Sequence, residues 1–276
     1  VSDPAIEGSA RAALRWLSEL RVEGEPRFRV GREGSRIVAE WPGLARLHAD
    51  PGAPAVLTPE PGADPRALAK LDRGARVAMD RQLRGALSLH AAAVALRGEA
   101  ALLLGASGAG KSTLAATLCA GHGGALLSDD IASLDAREEG FDVPPTEELH
   151  WLSVDSSTAL GLGSDASEGA KAPHRATSIA AAPARLRVLV ALEFDEGVRA
   201  PELRPLRGTT TFTHLAAGAV RFVLDDPSLL ARELEQLLAV CAAASSYLLV
   251  RPRRLTELAP SAALVAGLLE ASRRAP

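Results

Sequence analysis

Lysine is nearly absent from this chain. Of 31 lysines and arginines, only Lys70, Lys111 and Lys171 are lysine. Arginine serves wherever a positive charge is enough, so a retained lysine marks a place where a compact ammonium does what a planar fork cannot. Cysteine is equally scarce. Cys119 and Cys241 are the only two in 276 residues, each inside an apolar segment that reads as helix. That argues against a disulfide framework or a cysteine-ligated metal and leaves two small buried hydrophobes. A charge excess is missing as well: a formal net charge of −3 exerts no general pull on nucleic acid or anionic membrane. Long hydrophobic runs are also lacking. The longest, Leu237 to Val250, is too short to span a bilayer and contains Ser245 and Ser246. The first thirty residues carry charges throughout and no apolar signal core. A soluble cytoplasmic protein with no nucleic-acid or membrane partner is expected.

Hydrophobic residues make up 47% of the chain, enough for a substantial core and too many for disorder. Residues Glu7 to Leu20 read as an amphipathic helix, with Ala10, Ala13, Leu14, Leu17 and Leu20 on one stripe. Short strands are expected at Phe28–Val30, Ile37–Trp41 and Ala55–Thr58, separated by Gly and Pro. Five prolines between Asp50 and Pro65 mark a linker. The expected division is therefore a small N-terminal α+β segment, residues 1–65, and an α/β domain, residues 66–276. In the second part the patterns predict a helix over Arg66–Leu83, strands over Ser88–Leu96 and Ala101–Leu104, a helix from Lys111, and a strand over Ala125–Ser128. A doubly buried strand at Arg187–Phe194 follows, then a helix starting at Asp226-Pro227, a strand at Tyr247–Val250 and a helix over Ser261–Ser272. The stretch Ser164–Thr177 has little pattern.

Gly105-Ala106-Ser107-Gly108-Ala109-Gly110-Lys111-Ser112-Thr113 satisfies the phosphate-loop pattern G-x-x-x-x-G-K-[ST] completely. Its glycines let successive N–H groups turn inward on phosphate oxygens, and the following helix adds the positive end of its dipole. Lys111 is expected at the β- and γ-phosphates, Ser112 on magnesium. The nucleotide-binding set is Gly105, Ser107, Gly108, Ala109, Gly110, Lys111, Ser112 and Thr113. No guanine-selecting N-K-x-D occurs, so adenine is expected over guanine, and ATP with Mg2+ as the bound nucleotide. Asp129-Asp130 ends a short apolar strand about twenty residues later. There one carboxylate can hold metal while the other accepts a proton from an attacking hydroxyl; the same pair could equally close a turn. Which aspartate would take which role is open. His90 falls near the loop if its strand pairs with Ala101–Leu104. His48, His122, His150, His174 and His214 read as surface or packing residues.

The ordered set Leu89-His90-Ala91-Ala92-Ala93-Val94, the loop from Leu102 to Thr113, and Leu126-Leu127-Ser128-Asp129-Asp130 resembles the catalytic domain of HPr kinase/phosphorylase. It looks most like the shortened HPr-kinase-like proteins of bacterial biosynthetic clusters. The clear likeness covers about residues 85–135; a fainter one takes in Lys171 and the strand near Val188–Phe194. The resemblance implies an α/β P-loop fold of the HPr kinase and phosphoenolpyruvate carboxykinase type. It also implies phosphoryl transfer to a serine hydroxyl, with Asp129 or Asp130 as base and His90 beside it. On this basis the catalytic set is His90, Lys111, Asp129 and Asp130, and the metal set Ser112, Asp129 and Asp130. Lys171 is expected to close over the phosphates, unless it is a plain solvated lysine. The family's glycine-rich phosphorolysis signature has no counterpart here, so HPr need not be the substrate. Homo-oligomeric assembly is an expectation of the resemblance alone. The leading expectation is an ATP-dependent kinase acting on a peptide or protein serine, residues 1–65 serving recognition. A small-molecule kinase and a nucleotide-binding regulator or scaffold with little turnover are the alternatives.

Overall fold

The computed structural model describes residues 13–163 and 171–272. The chain divides into two compact units: one ends at Leu83 and takes back Arg221–Asp226, the other runs Arg84–Val220 and from Pro227 onward.

The first unit is built on an antiparallel meander of five strands in chain order: β1 (Leu14–Val22), β2 (Glu25–Glu33), β3 (Arg36–Trp41), β4 (Ala45–Ala49) and β5 (Val56–Pro59). The helix expected over residues 7–20 is overturned where it can be seen, because Leu14–Val22 is strand; residues 7–12 lie outside the described residues. The cause is a bulge. Trp16 pairs with Gly31 and Ser18 with Val30, so Leu17 is an extra residue that breaks the alternation and mimics a helical stripe. Gly31 is needed opposite it, since a Cβ there would overlap the Arg15 carbonyl. A two-residue turn with positive φ at Glu23 and Gly24 closes the hairpin. Among described residues the segment before Pro65 is therefore all β, not α+β.

Helix α1 (Pro65–Leu71) starts at Asp64, whose carboxylate caps Arg66 N and Ala67 N. It passes through a π turn at Asp72–Arg76 into α2 (Val77–Leu83). This helical run belongs to the meander unit, which moves the boundary past the proline-rich stretch. Asp80 accepts the Ala55 N–H at 2.6 Å. Gln82 turns its amide onto the returning segment: Oε1 accepts Phe222 N at 2.6 Å and Val223 N at 3.0 Å, and Nε2 donates to Val223 O at 3.2 Å. Phe222 then joins Phe28 and Trp41 in an aromatic cluster with centroids 4.9–6.5 Å apart.

The second unit is a mixed α/β fold. Its elements are β6 (Ser88–Leu89), β7 (Ala92–Leu96), β8 (Glu99–Leu104), α3 (Lys111–Gly121), β9 (Ala125–Ser128), β10 (Ala132–Ser133), β11 (Asp135–Ala136), β12 (Phe141–Val143), β13 (Leu149–Ser153), α4 (Val154–Ala159), β14 (Lys171–Arg175), β15 (Ala184–Phe194), β16 (Glu202–Leu206), α5 (Thr209–Gly218), α6 (Pro227–Ala243), β17 (Ser245–Arg251) and α7 (Leu258–Ser272). β15 is parallel to both β8 and β17, which explains its nearly continuous apolar run. β7 is antiparallel to β8 and β9, so the sheet is mixed. Leu102 and Leu104 face Leu215 of α5 and Leu237 and Val240 of α6. Leu103 and Val190 face Leu114 and Leu118 of α3 and Val265 and Leu269 of α7. Helices thus cover both faces, and period-two alternation along β8 feeds two cores. The two cysteines are free; burial pushes the Cys119 thiol up to about 12, as suits an inert hydrophobe. Among the described residues no helix is long and apolar enough to cross a membrane.

Candidate functional site

Three strand ends converge by register. β8 ends at Leu104 and runs directly into the glycine loop. In the β7–β8 pair Ala92 lies opposite Leu103, so the residues just before β7 stand beside that loop. In the β7–β9 pair Ala93 lies opposite Ser128, which brings Asp129-Asp130 to the same edge. The strand expected over Ser88–Leu96 is interrupted here. β6 turns aside to pair with β10, and His90 N donates to Gly218 O at 2.6 Å, leaving His90 in the break.

The loop between β8 and α3 has positive φ at Gly105, Gly108 and Gly110, so its curl depends on glycine. Ala106, Ser107 and Gly108 are exposed, Ser112 is half-buried, and Thr113 is buried with its hydroxyl 2.9 Å from Ser156 Oγ. Lys111 is 7% exposed and turns back over the loop. Its Nζ donates to Gly105 O at 2.7 Å and Ala106 O at 3.3 Å, and lies 3.2 Å from His90 Nε2. The other His90 nitrogen, Nδ1, is 3.4 Å from Asp130 Oδ1. Lys111, His90 and Asp130 therefore form a line along the loop mouth.

The adjacent aspartates part company. Asp129 is 2% exposed: Oδ1 is 3.1 Å from His150 Nδ1, and Oδ2 accepts the Trp151 N–H at 3.0 Å. Asp130 is half-buried and faces His90. Glu147 lies behind both. Its Oε2 accepts the Asp129 N–H and, at 3.0 Å, the Asp130 N–H. Burial first, and then the charges of Asp129 and Asp130, push the Glu147 carboxyl above its usual range against the pull of those two N–H groups. No motif or spacing points to Glu147, and His150 reads from sequence as a surface or packing residue. The only available signal was β13, where His150 and Leu152 share the buried face. Lys171 stands exposed at the start of β14, opposite Ser153 in register; residues 164–170 before it lie outside the described residues.

Chemically, the arrangement offers a glycine loop curled through three positive-φ positions, a lysine ammonium, a hydroxyl at the start of a helix, and a carboxylate–imidazole pair. Among the described residues no three His, Cys, Asp or Glu side chains gather as a metal cage.

No family model and no curated protein matches the chain. Among solved structures, the Hpr(Ser) kinase/phosphatase from Coxiella burnetii is similar over 67% of this chain and 95% of that one, with 13% identity and a TM-score of 0.35. At that TM-score the likeness carries no argument about this chain.

Proposed function

We propose that the chain is an ATP-dependent kinase that moves the γ-phosphoryl group onto a hydroxyl, serine of a peptide or protein first among the candidates. The observation that supports this best is the Lys111–His90–Asp130 line at the mouth of the glycine loop. Loop amides and the α3 N-terminus would take the triphosphate, and Lys111 would swing from its carbonyl partners to the β- and γ-phosphates. Ser112 and Asp130 would hold magnesium, which neutralises phosphate charge when bound. The acceptor oxygen forms a bond to the γ-phosphorus as the bond to the β–γ bridging oxygen breaks. The hydroxyl proton passes to the His90–Asp130 pair, and ADP leaves. Asp129 has no part in this; its oxygens serve the fold. A mere nucleotide binder needs no proton acceptor beside its lysine, which favours an enzyme. The meander unit, whose sheet ends on edge strands β1 and β5, is assigned to acceptor recognition, because an extended peptide can add to such an edge.

The test is incubation with labelled Mg-ATP, with and without candidate peptides, read by mass spectrometry. Slow hydrolysis alone and strong stimulation by a phosphorylated peptide is the expected result. Rapid acceptor-free hydrolysis would make it an ATPase. A phosphate on a free sugar or amino acid, with none on peptide, would make it a small-molecule kinase. Binding without turnover would make it a regulator.

A further inference from the structure

Arg251 ends β17 and is 3% exposed, although it is an arginine. Register explains how it arrives there. Phe194 at the end of β15 lies opposite Arg251, while Ala191 lies opposite Leu104, the last residue before the glycine loop. β15 thus projects beyond the loop's start, and the Arg251 side chain crosses it toward the loop. Its backbone is pinned, since Asp195 N donates to Arg251 O at 3.0 Å. The guanidinium stacks on the Phe194 ring at 4.8 Å, and Nη2 donates to Ala109 O at 3.2 Å. A Cβ on Gly110 would overlap that same nitrogen and displace the guanidinium, while the φ of 85° at position 110 independently favours glycine.

As a structural device this is expensive. A buried cation normally has a carboxylate partner, and among the described residues none pairs with Arg251. Its Nε is buried and has no hydrogen-bond partner. Burial pushes its pKa down to about 10, so it stays charged at neutral pH. An uncompensated buried charge against the loop gains its counterpart when the loop receives an anion.

Resting on the kinase reading above, we propose that Arg251 is a positioning residue that holds the Gly105–Gly110 loop in its phosphate-receiving curl and supplies buried positive charge to the bound triphosphate. Arginine is required because only the planar fork can stack on Phe194 and reach Ala109 O together.

Three proteins test this: wild type, Arg251→Met and Arg251→Lys. Hydrogen exchange without nucleotide should show the loop amides of residues 106–112 exchanging at least about 10-fold faster in both variants, with β8 and β17 unchanged, because the loop has lost its tether. The dissociation constant for Mg-ATP should rise at least about 10-fold in Arg251→Met and less in Arg251→Lys, which keeps the charge. Adenosine, which has no phosphate, should bind all three alike. Unchanged loop exchange in both variants overturns the positioning role, whatever happens to affinity. Equal Mg-ATP affinity in all three overturns the electrostatic role. If wild type binds no nucleotide, the kinase reading falls, while loop exchange still decides whether Arg251 holds the loop. Should Arg251→Met fail to fold, Arg251→Lys decides by the same readouts.

Discussion

Two buried glutamates, one in each compact unit, live under opposite regimes. Glu40 on β3 is 5% exposed and sits in register between Arg29 of β2 and Arg46 of β4. Burial pushes its carboxyl up, but hydrogen bonds from Arg46 and Arg29 outweigh that and hold it below the ordinary range. Glu147 is 8% exposed, and its partners are backbone N–H groups and the Ser128 hydroxyl. Beside it stand two more carboxylates, Asp129 and Asp130, and its own carboxyl is pushed up. The meander spends arginines on its buried acid. The second unit crowds three acids together, and among the described residues it sends no arginine to Glu147. Perturbed acids of that kind cluster at functional sites more often than elsewhere, and on the kinase reading the contrast sets a carboxylate paired by arginines against one crowded by its neighbours.

The sharpest way to break the contrast is at the site itself. Lys111→Arg and Lys111→Ala should each abolish most of the rise in melting temperature that Mg-ATP gives the wild type, read by scanning fluorimetry. Normal ATP binding by Lys111→Arg would remove the loop from the account. Asp130→Asn should lower turnover by about 10²–10⁴-fold while leaving the fold and nucleotide-free stability intact. Asp129→Asn should act through stability instead, because the amide offers one acceptor where His150 and Trp151 now share two oxygens. A cost of about 1–3 kcal/mol in denaturant unfolding is expected, with residual turnover in the folded fraction. If the two substitutions exchanged effects, the division of the pair would be reversed.

Glu147 gives a finer test. Glu147→Ala strands two buried backbone N–H groups and should cost about 2–4 kcal/mol, whereas Glu147→Gln keeps an acceptor and should stay within about 1 kcal/mol of wild type at neutral pH. Equal losses in the two variants would mean that the charge, not the hydrogen bonds, holds the Asp129-Asp130 turn.

These tests also mark what could be read in advance. The strand, glycine loop and helix from β8 to α3 were legible because the glycines and the apolar runs that flank them are consecutive in sequence. The separate surroundings of Asp129 and Asp130 were not legible. They depend on His150 and Glu147, brought in by β13 and the turn before it, and no spacing rule links positions 129 and 150. The N-terminal strand was misread because the Leu17 bulge shifts the alternation by one residue. The return of Phe222 and Val223 to the first unit was hidden for the same reason as His150: Gln82 recognises backbone N–H and C=O groups, which leave no trace in the side-chain pattern.

The smallest expected effect lies in the meander and concerns pH. Because the folded Glu40 carboxyl titrates below its unfolded value, its contribution to stability is fully present above the ordinary carboxylate pKa of roughly 4.3. It is lost as pH falls through the lower folded value, where the proton displaces Arg29 and Arg46. Glu40→Gln cannot be protonated. The substitution should therefore cost about 1 kcal/mol at pH 7, and this difference from wild type should shrink steadily below pH ~4. Urea unfolding at several pH values, followed by Trp41 fluorescence in the first unit's aromatic cluster, would measure it. A difference that stayed constant from pH 7 to pH 3 would show that Glu40 contributes shape rather than charge, and the contrast with Glu147 would lose its electrostatic half.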